Sequence, residues 1–242
     1  MHLAASAAAL GLILGVLYAG WYHWPGWYLA DAAPVFAVLI GVDLVAGPLL
    51  TMVVASPAKS RGELSRDIGV IAAIQLFALG YGCIQLWNGR ILYYAFSEGV
   101  LQSVQAYDIS AAQAALGAQN NPALAPHWYS LPRWIWAPLP ADPKERDKVL
   151  GAVTSGGEDV ISLPVYYQPW QAGLPALRAQ LTPLDGARMF FPRDRKILRE
   201  KMRALDLSAE EPVCMTFLGR RHPLLAVFDP QTLQLKAMLR AH

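Results

Sequence analysis

Charge is scarce in this chain. Only 16% of its 242 residues are charged, against 55% apolar, too apolar a balance for an ordinary soluble domain. The net charge of +2 and the lack of a basic stripe with interleaved aromatics argue against a nucleic-acid partner. Cysteine is scarce too. Cys83 lies in an apolar run and Cys214 in a late strand-like segment, so both are expected to be free thiols, and their number says nothing about redox compartment. No Walker-type loop and no Gly-x-Gly-x-x-Gly occurs; Gly156-Gly157 reads as an isolated helix stop. The five histidines lack metal-ligand spacing, and there is no Gly-x-Ser-x-Gly elbow. The pairs Glu158-Asp159 and Glu210-Glu211 sit in loop-like contexts that solvated turns explain. These absences lead us to expect no enzyme, no cofactor, no metal and no small-molecule substrate. The alternative is a small membrane-bound modifying enzyme with an active site in the external domain. A signalling sensor is disfavoured, because the loop 56–67 is too short for an output domain.

What the chain has is apolar length. Three long apolar runs fill residues 1–88, and 89–242 reads as one soluble domain. The run 35–55 could cross the ~30 Å of bilayer hydrocarbon at about 1.5 Å rise per residue. It nevertheless carries Asp43 near its middle and Gly47-Pro48 one turn later. A carboxylate at that depth is costly, and a proline there should kink the helix. Such a span is expected to face other protein. The run 3–22 has no charge and no basic segment before it, and it is longer than a usual signal-peptide core. It ends among Trp21, Tyr22, Trp24, Trp27 and Tyr28, residue types favoured at a membrane–water interface. We read it as a retained helix. Ala7, Gly11, Gly15 and Ala19 recur every four residues and give it one small-residue face. That face serves either packing within the bundle or docking of a partner's helix.

The third span is 68–86. Lys59, Arg61 and Arg66 in the preceding loop place 56–67 in the cytoplasm by the positive-inside rule. The N-terminus is then cytoplasmic and everything after Trp87 external, which in a bacterium is the periplasm. Helical rise sets Gln75 at the level of Pro48, where its amide can satisfy a freed carbonyl. Asp43 is expected to bond a tyrosine hydroxyl, Tyr81 first. With no chain of titratable groups around Asp43, proton transport is not expected.

In the external domain, 91–96 and 100–106 are strand-like, with Ser97-Glu98-Gly99 as a hairpin turn. Asp108 or Ser110 can cap a short helix ending near Gly117. Asp142-Pro143 with Glu145 opens another: cap, proline at the first position, acid at the third. Short helices are expected near 175–180 and over 193–205, and three closing strands suggest a meander. The expected fold is three transmembrane helices plus a periplasmic α+β domain with an antiparallel sheet. The aromatics of 128–136, including Trp134 and Trp136, read as core or loop packing; any that are exposed are the best protein-binding patch.

The order of parts resembles the TfpX/TfpZ family of type IV pilin accessory proteins. The resemblance rests on Gly41-Val42-Asp43 and Gly47-Pro48-Leu49-Leu50-Thr51, then Arg66-Asp67, Gln75-Leu76 and Tyr81-Gly82. Phe96 with its hairpin, Asp142-Pro143, Glu145-Arg146, Tyr166-Tyr167 and the final meander continue it. The family usually begins with a few basic residues; this chain does not. The resemblance implies a bacterial inner-membrane factor for type IV pilus assembly, a chaperone-like partner of its cognate major pilin. The candidates it and the residue pattern leave for pilin docking or bundle locking are Gly11, Gly15, Asp43, Gly47, Pro48, Thr51, Gln75, Tyr81, Trp134 and Trp136.

Overall fold

The computed structural model describes residues 2–54, 60–207 and 212–241; the side chains of 2–7, 9 and 43 lie outside that description. The chain divides into two compact units, Met1–Arg90 and Ile91–His242.

The N-terminal unit is all helical. Helix α1, His2–Leu17, runs into a π-helical turn, Tyr18–Tyr22. A short α2, Gly26–Leu29, follows a cis Trp24-Pro25 bond. Then α3, Ala33–Ile40, passes through a π-helical stretch, Gly41–Ala46, into α4, Gly47–Val54. Helix α5, Arg61–Gly89, is 29 residues long. Two of these helical stretches, Ala33–Val54 and Arg61–Gly89, are long and apolar enough to cross a membrane. The first run supplies a shorter apolar helix over Leu10–Tyr22, so length and composition single out two spans and not the expected three.

Helix α5 begins earlier than its apolar run because Ser60 and Glu63 form a capping box. The Ser60 hydroxyl accepts from the Glu63 N–H, and the Glu63 carboxylate accepts from the Ser60 N–H at 2.9 Å. Arg61 and Arg66 are therefore on a helix rather than in a loop, and Lys59 lies outside the described residues.

The C-terminal unit is built on a seven-stranded sheet. Its elements are β1 Ile91–Ser97, β2 Val100–Gln105, α6 Ala111–Asn120, β3 Arg133–Trp136, α7 Pro143–Thr154, β4 Gln168–Pro169, α8 Trp170–Gln180, α9 Pro192–Ala204, β5 Val213–Leu218, β6 Leu224–Phe228 and β7 Leu235–Arg240. The strand order is β4-β3-β1-β2-β5-β6-β7. The sheet is mixed, which corrects the expectation of an antiparallel one. The hairpin β1–β2 and the meander β5–β6–β7 are antiparallel, as expected. However, β3 joins β1 in parallel and β5 joins β2 in parallel. Parallel neighbours need a long crossover, and the stretches holding α6 and α7–α9 provide it. Periodicity marks a strand but not its neighbour, and β3 lies in a stretch that reads as an aromatic loop.

Helices cover both faces of the sheet. Tyr93, Ala95, Val104 and Ile135 pack with Ile109 and Tyr167 on one face. Further along that face Cys214, Leu225 and Val227 pack against Leu198 and Met202 of α9. On the other face Trp134 and Trp136 meet Trp170 and Gly173 of α8. Local chemistry fixes the connections. Glu98 and Gly99 take positive φ (42° and 83°) in the hairpin turn, as a two-residue type I′ turn requires. Ser110 caps α6, which runs on past Gly117 to Asn120, and Asp142 caps α7 by accepting from the Glu145 N–H at 3.1 Å.

Candidate functional site

The second apolar stretch changes its helical hydrogen-bond pattern just before its proline. Pro48 has no amide hydrogen, and in a regular α-helix its ring would collide with the Leu44 carbonyl. The π-helical Gly41–Ala46 immediately precedes it, and the Gly47 N–H reaches back to the Val42 carbonyl. π segments inside α-helices are rare and mark such interruptions. Asp43 lies in this segment. Its side chain, and hence the expected bond to Tyr81, falls outside the described residues. Tyr81 is 58% exposed.

Two glycines sit where α5 meets the helical stretch 33–54. A Cβ on Gly47 would stand 2.0 Å from the Gln75 amide nitrogen, so Gln75 does sit at the level of Pro48. A Cβ on Gly82 would stand 2.3 Å from the end of Leu39, a buried residue. The Thr51 hydroxyl donates back to the Gly47 carbonyl at 2.9 Å. Gly11 and Gly15 differ. Both are exposed, and among the described residues a Cβ at either would meet nothing within 4 Å. Among the described residues nothing packs on the small-residue face of α1 at those two positions; Ala7 lies outside the described side chains. Beside it, Leu12, Val16, Leu17, Cys83, Ile84 and Trp87 line an apolar groove of about 540 Å³.

One end of the helical unit carries an aromatic collar. The Tyr22 hydroxyl donates to the Leu86 carbonyl at 2.6 Å, and Trp21 meets Trp87 edge-on at 5.4 Å. The Arg90 guanidinium lies 4.1 Å over the Trp87 ring and donates to the Trp87 carbonyl. An amphipathic aromatic belt with an arginine is the composition of a membrane–water boundary.

In the C-terminal unit the tryptophans separate into two groups. Trp134 packs against Trp170 at 5.0 Å, Tyr94 at 5.1 Å and Phe217 at 5.9 Å. Trp136 closes against Gly173, where a Cβ would lie 2.6 Å from its Cγ. These two rings belong to the layer between sheet and helix. Trp128 (73% exposed) and Tyr129 (59%) point out of the domain. The sequence cluster hid this split: strand alternation turns Trp134 and Trp136 inward, while the turn before them faces out.

The buried polar groups serve architecture. The Tyr93 hydroxyl donates to the Leu124 carbonyl at 2.6 Å, and the Tyr167 hydroxyl donates to that of Ile161. Burial pushes the Tyr93 phenol up to about 12 and the Cys214 thiol up to about 12, so neither ionises near neutral pH. The Tyr166 phenol, pushed up to about 12 chiefly by its bond to Glu145, donates to that carboxylate at 2.7 Å. Glu158 accepts from Gln113 at 2.8 Å and Asp159 accepts from the Val160 N–H; Glu210-Glu211 lie outside the described residues. Among the described residues no three His, Cys, Asp or Glu side chains are placed to share a metal ion.

Fold and surface together define an apolar helical unit followed by an α+β domain, with open small-residue and aromatic surfaces. The chain is similar, at 24% identity over 227 residues, to a protein named fimbrial assembly protein, serogroup I, of Dichelobacter nodosus. That match spans 91% of this chain and 85% of that protein. It is also similar to the fimbrial assembly protein of serogroups C1 and C2 of the same organism, 28% identical over 109 residues, 45% of this chain and 83% of that protein. The serogroup E1 protein is 27% identical over 109 residues, 45% of this chain and 42% of that protein. No protein-family model matches the chain. No solved structure matches it.

Proposed function

We propose that this chain is a membrane-anchored accessory protein of type IV fimbrial assembly, of the TfpX/TfpZ kind, that acts without catalysis as a chaperone-like partner of its cognate major pilin. The observation that carries the reading is likeness to a fimbrial assembly protein over nine-tenths of the chain, helical and α+β units included. The helical unit supports a membrane location, with two stretches of spanning length and an aromatic collar at one end. In this reading the run 3–22 spans as well, the loop with Lys59 is cytoplasmic, and the C-terminal domain is in the periplasm of a bacterium, anchored in the inner membrane.

A pilin awaiting assembly has an apolar helix in the membrane and a globular head outside it. The open face at Gly11 and Gly15 would receive the helix, since small residues let two backbones approach closely. The C-terminal domain would meet the head.

Deleting the gene tests the role. Surface fimbriae should be lost or sharply reduced while pilin is still made, and a plasmid copy should restore them. Normal fimbriation in the deletion strain would overturn the reading.

A further inference from the structure

The strand register gathers an unusual set of residues at one end of the sheet. Strand β1 begins at Ile91, two residues after α5 ends at Gly89, so this is the end by which the chain enters the sheet. Strand β3 is parallel to β1 with Tyr93 opposite Arg133, so the loop before β3 lies at the same end. Its exposed apolar residues are Trp128, Tyr129 and Leu131 (56% exposed). Strand β2 ends there too, with Gln105 opposite Ile91 and Tyr107 just beyond. Strand β5 is parallel to β2, so the turn after it, carrying exposed Arg220 and Arg221, joins the group. The Arg220 guanidinium stands 5.3 Å over the Tyr107 ring. The opposite end holds the turns with Glu98 and Asp229.

The aromatic tip is built, not loose. The Ser130 N–H donates to the His127 carbonyl at 3.0 Å, and the Ser130 hydroxyl accepts from the His127 N–H at 2.8 Å. Arg133 donates to the carbonyls of Ala123, Leu124 and Ala125. The His127 and Tyr129 rings stack at 5.4 Å. This short turn holds a tryptophan, a tyrosine and a leucine outward, in contact with solvent.

We propose that this end of the C-terminal domain is a lipid-binding face. Trp128, Tyr129 and Leu131 enter the headgroup–acyl boundary, and Arg220 and Arg221 lie against anionic headgroups. The inference rests on the membrane location proposed above. Three features favour lipid. The amphipathic rings suit the interface, where an apolar body and a polar tip are both satisfied. Basic residues beside them complement anionic lipid. The chain also enters the sheet at this end directly from α5, with Arg90 alone between Gly89 and Ile91. The contact would hold the domain at a fixed tilt to the bilayer.

The test uses the full chain in vesicles of phosphatidylethanolamine and phosphatidylglycerol. Cys83→Ala removes one thiol, and Cys214 is fully buried. A polarity-sensitive fluorophore is attached in separate proteins at Leu131→Cys, at Phe77→Cys in α5 and at Gln231→Cys in the β6–β7 turn. Brominated acyl chains should quench the probes at 131 and 77 several-fold and leave 231 unchanged. The emission at 131 should also be blue-shifted against 231. Replacing phosphatidylglycerol by phosphatidylcholine should weaken quenching at 131, and Arg220→Gln with Arg221→Gln should remove that lipid dependence. A probe at 131 that behaves like 231 while 77 is quenched overturns the lipid face and leaves the membrane reading standing. The lipid face is equally overturned if adding pilin then shields residue 131, since the occupant would be protein. An unquenched probe at 77 overturns both.

Discussion

Glycine positions carry much of the close packing. At Gly173 a Cβ would lie 2.6 Å from Cγ and 2.7 Å from Cβ of Trp136. An alanine in a helix interior normally gains up to ~1 kcal/mol over glycine. Here the rigid indole base must move, and overpacking of that kind costs about 1–3 kcal/mol. Gly173→Ala should therefore lower the denaturant midpoint of the C-terminal unit, and an unchanged or raised midpoint would show that the indole yields freely. Asp229 offers a pH test. Its carboxylate accepts from the Thr232 N–H at 2.7 Å and the Gln231 N–H at 2.9 Å, with the Lys236 ammonium at 3.4 Å. The Thr232 backbone bond is the largest cause holding it down at about 2, below the ordinary 3.8. A depressed carboxylate stabilises the fold above its unfolded value and loses that effect as pH falls through its folded value. Melting temperature should thus fall with pH from about 4 to about 2, and less steeply in Asp229→Asn. Identical slopes would remove Asp229 from the acid response.

Helix α7 was fully legible at the level of elements. Its cap, proline and acid occupy Asp142, Pro143 and Glu145, and the helix ends at Thr154, just before Gly156, which takes a φ of 78°. Asp142→Ala should cost about 1 kcal/mol by losing the cap, and Asp142→Asn much less. Equal losses measured by chemical unfolding would show that charge, not the cap bond, matters. Other elements were half legible. Ser60 and Glu63 spell a capping box, but the apolar run begins only at Ile68, whereas α5 starts at Arg61. The π-helical stretch before Pro48 was foreseeable only as a kink, because sequence names the obstruction and not the geometry that relieves it. The parallel partners of β1 and β2 were not legible, because pairing across a crossover is decided by distant packing. The same limit hid which tryptophans face out: Trp128 and Trp134 belong to one run of aromatics but to opposite sides of the core boundary.

The whole molecule joins an apolar helical unit to an α+β domain, and its proposed docking face lies on the first helix. Because a Cβ at Gly11 or Gly15 touches nothing among the described residues, Gly11→Leu with Gly15→Leu should leave the protein's abundance and folding intact. It should still reduce fimbriation severely, since two leucines would hold a docking helix away. Fimbriation at the parental level would remove the first helix from the mechanism. The most direct measurement is photocrosslinking in living, fimbriated cells, with the probe at Gly15 and adducts identified by mass spectrometry. The account predicts a covalent adduct to the apolar helix of the major pilin, lost when the neighbouring Gly11 is leucine. Adducts confined to lipid and to other chains, in cells that assemble fimbriae, would contradict it.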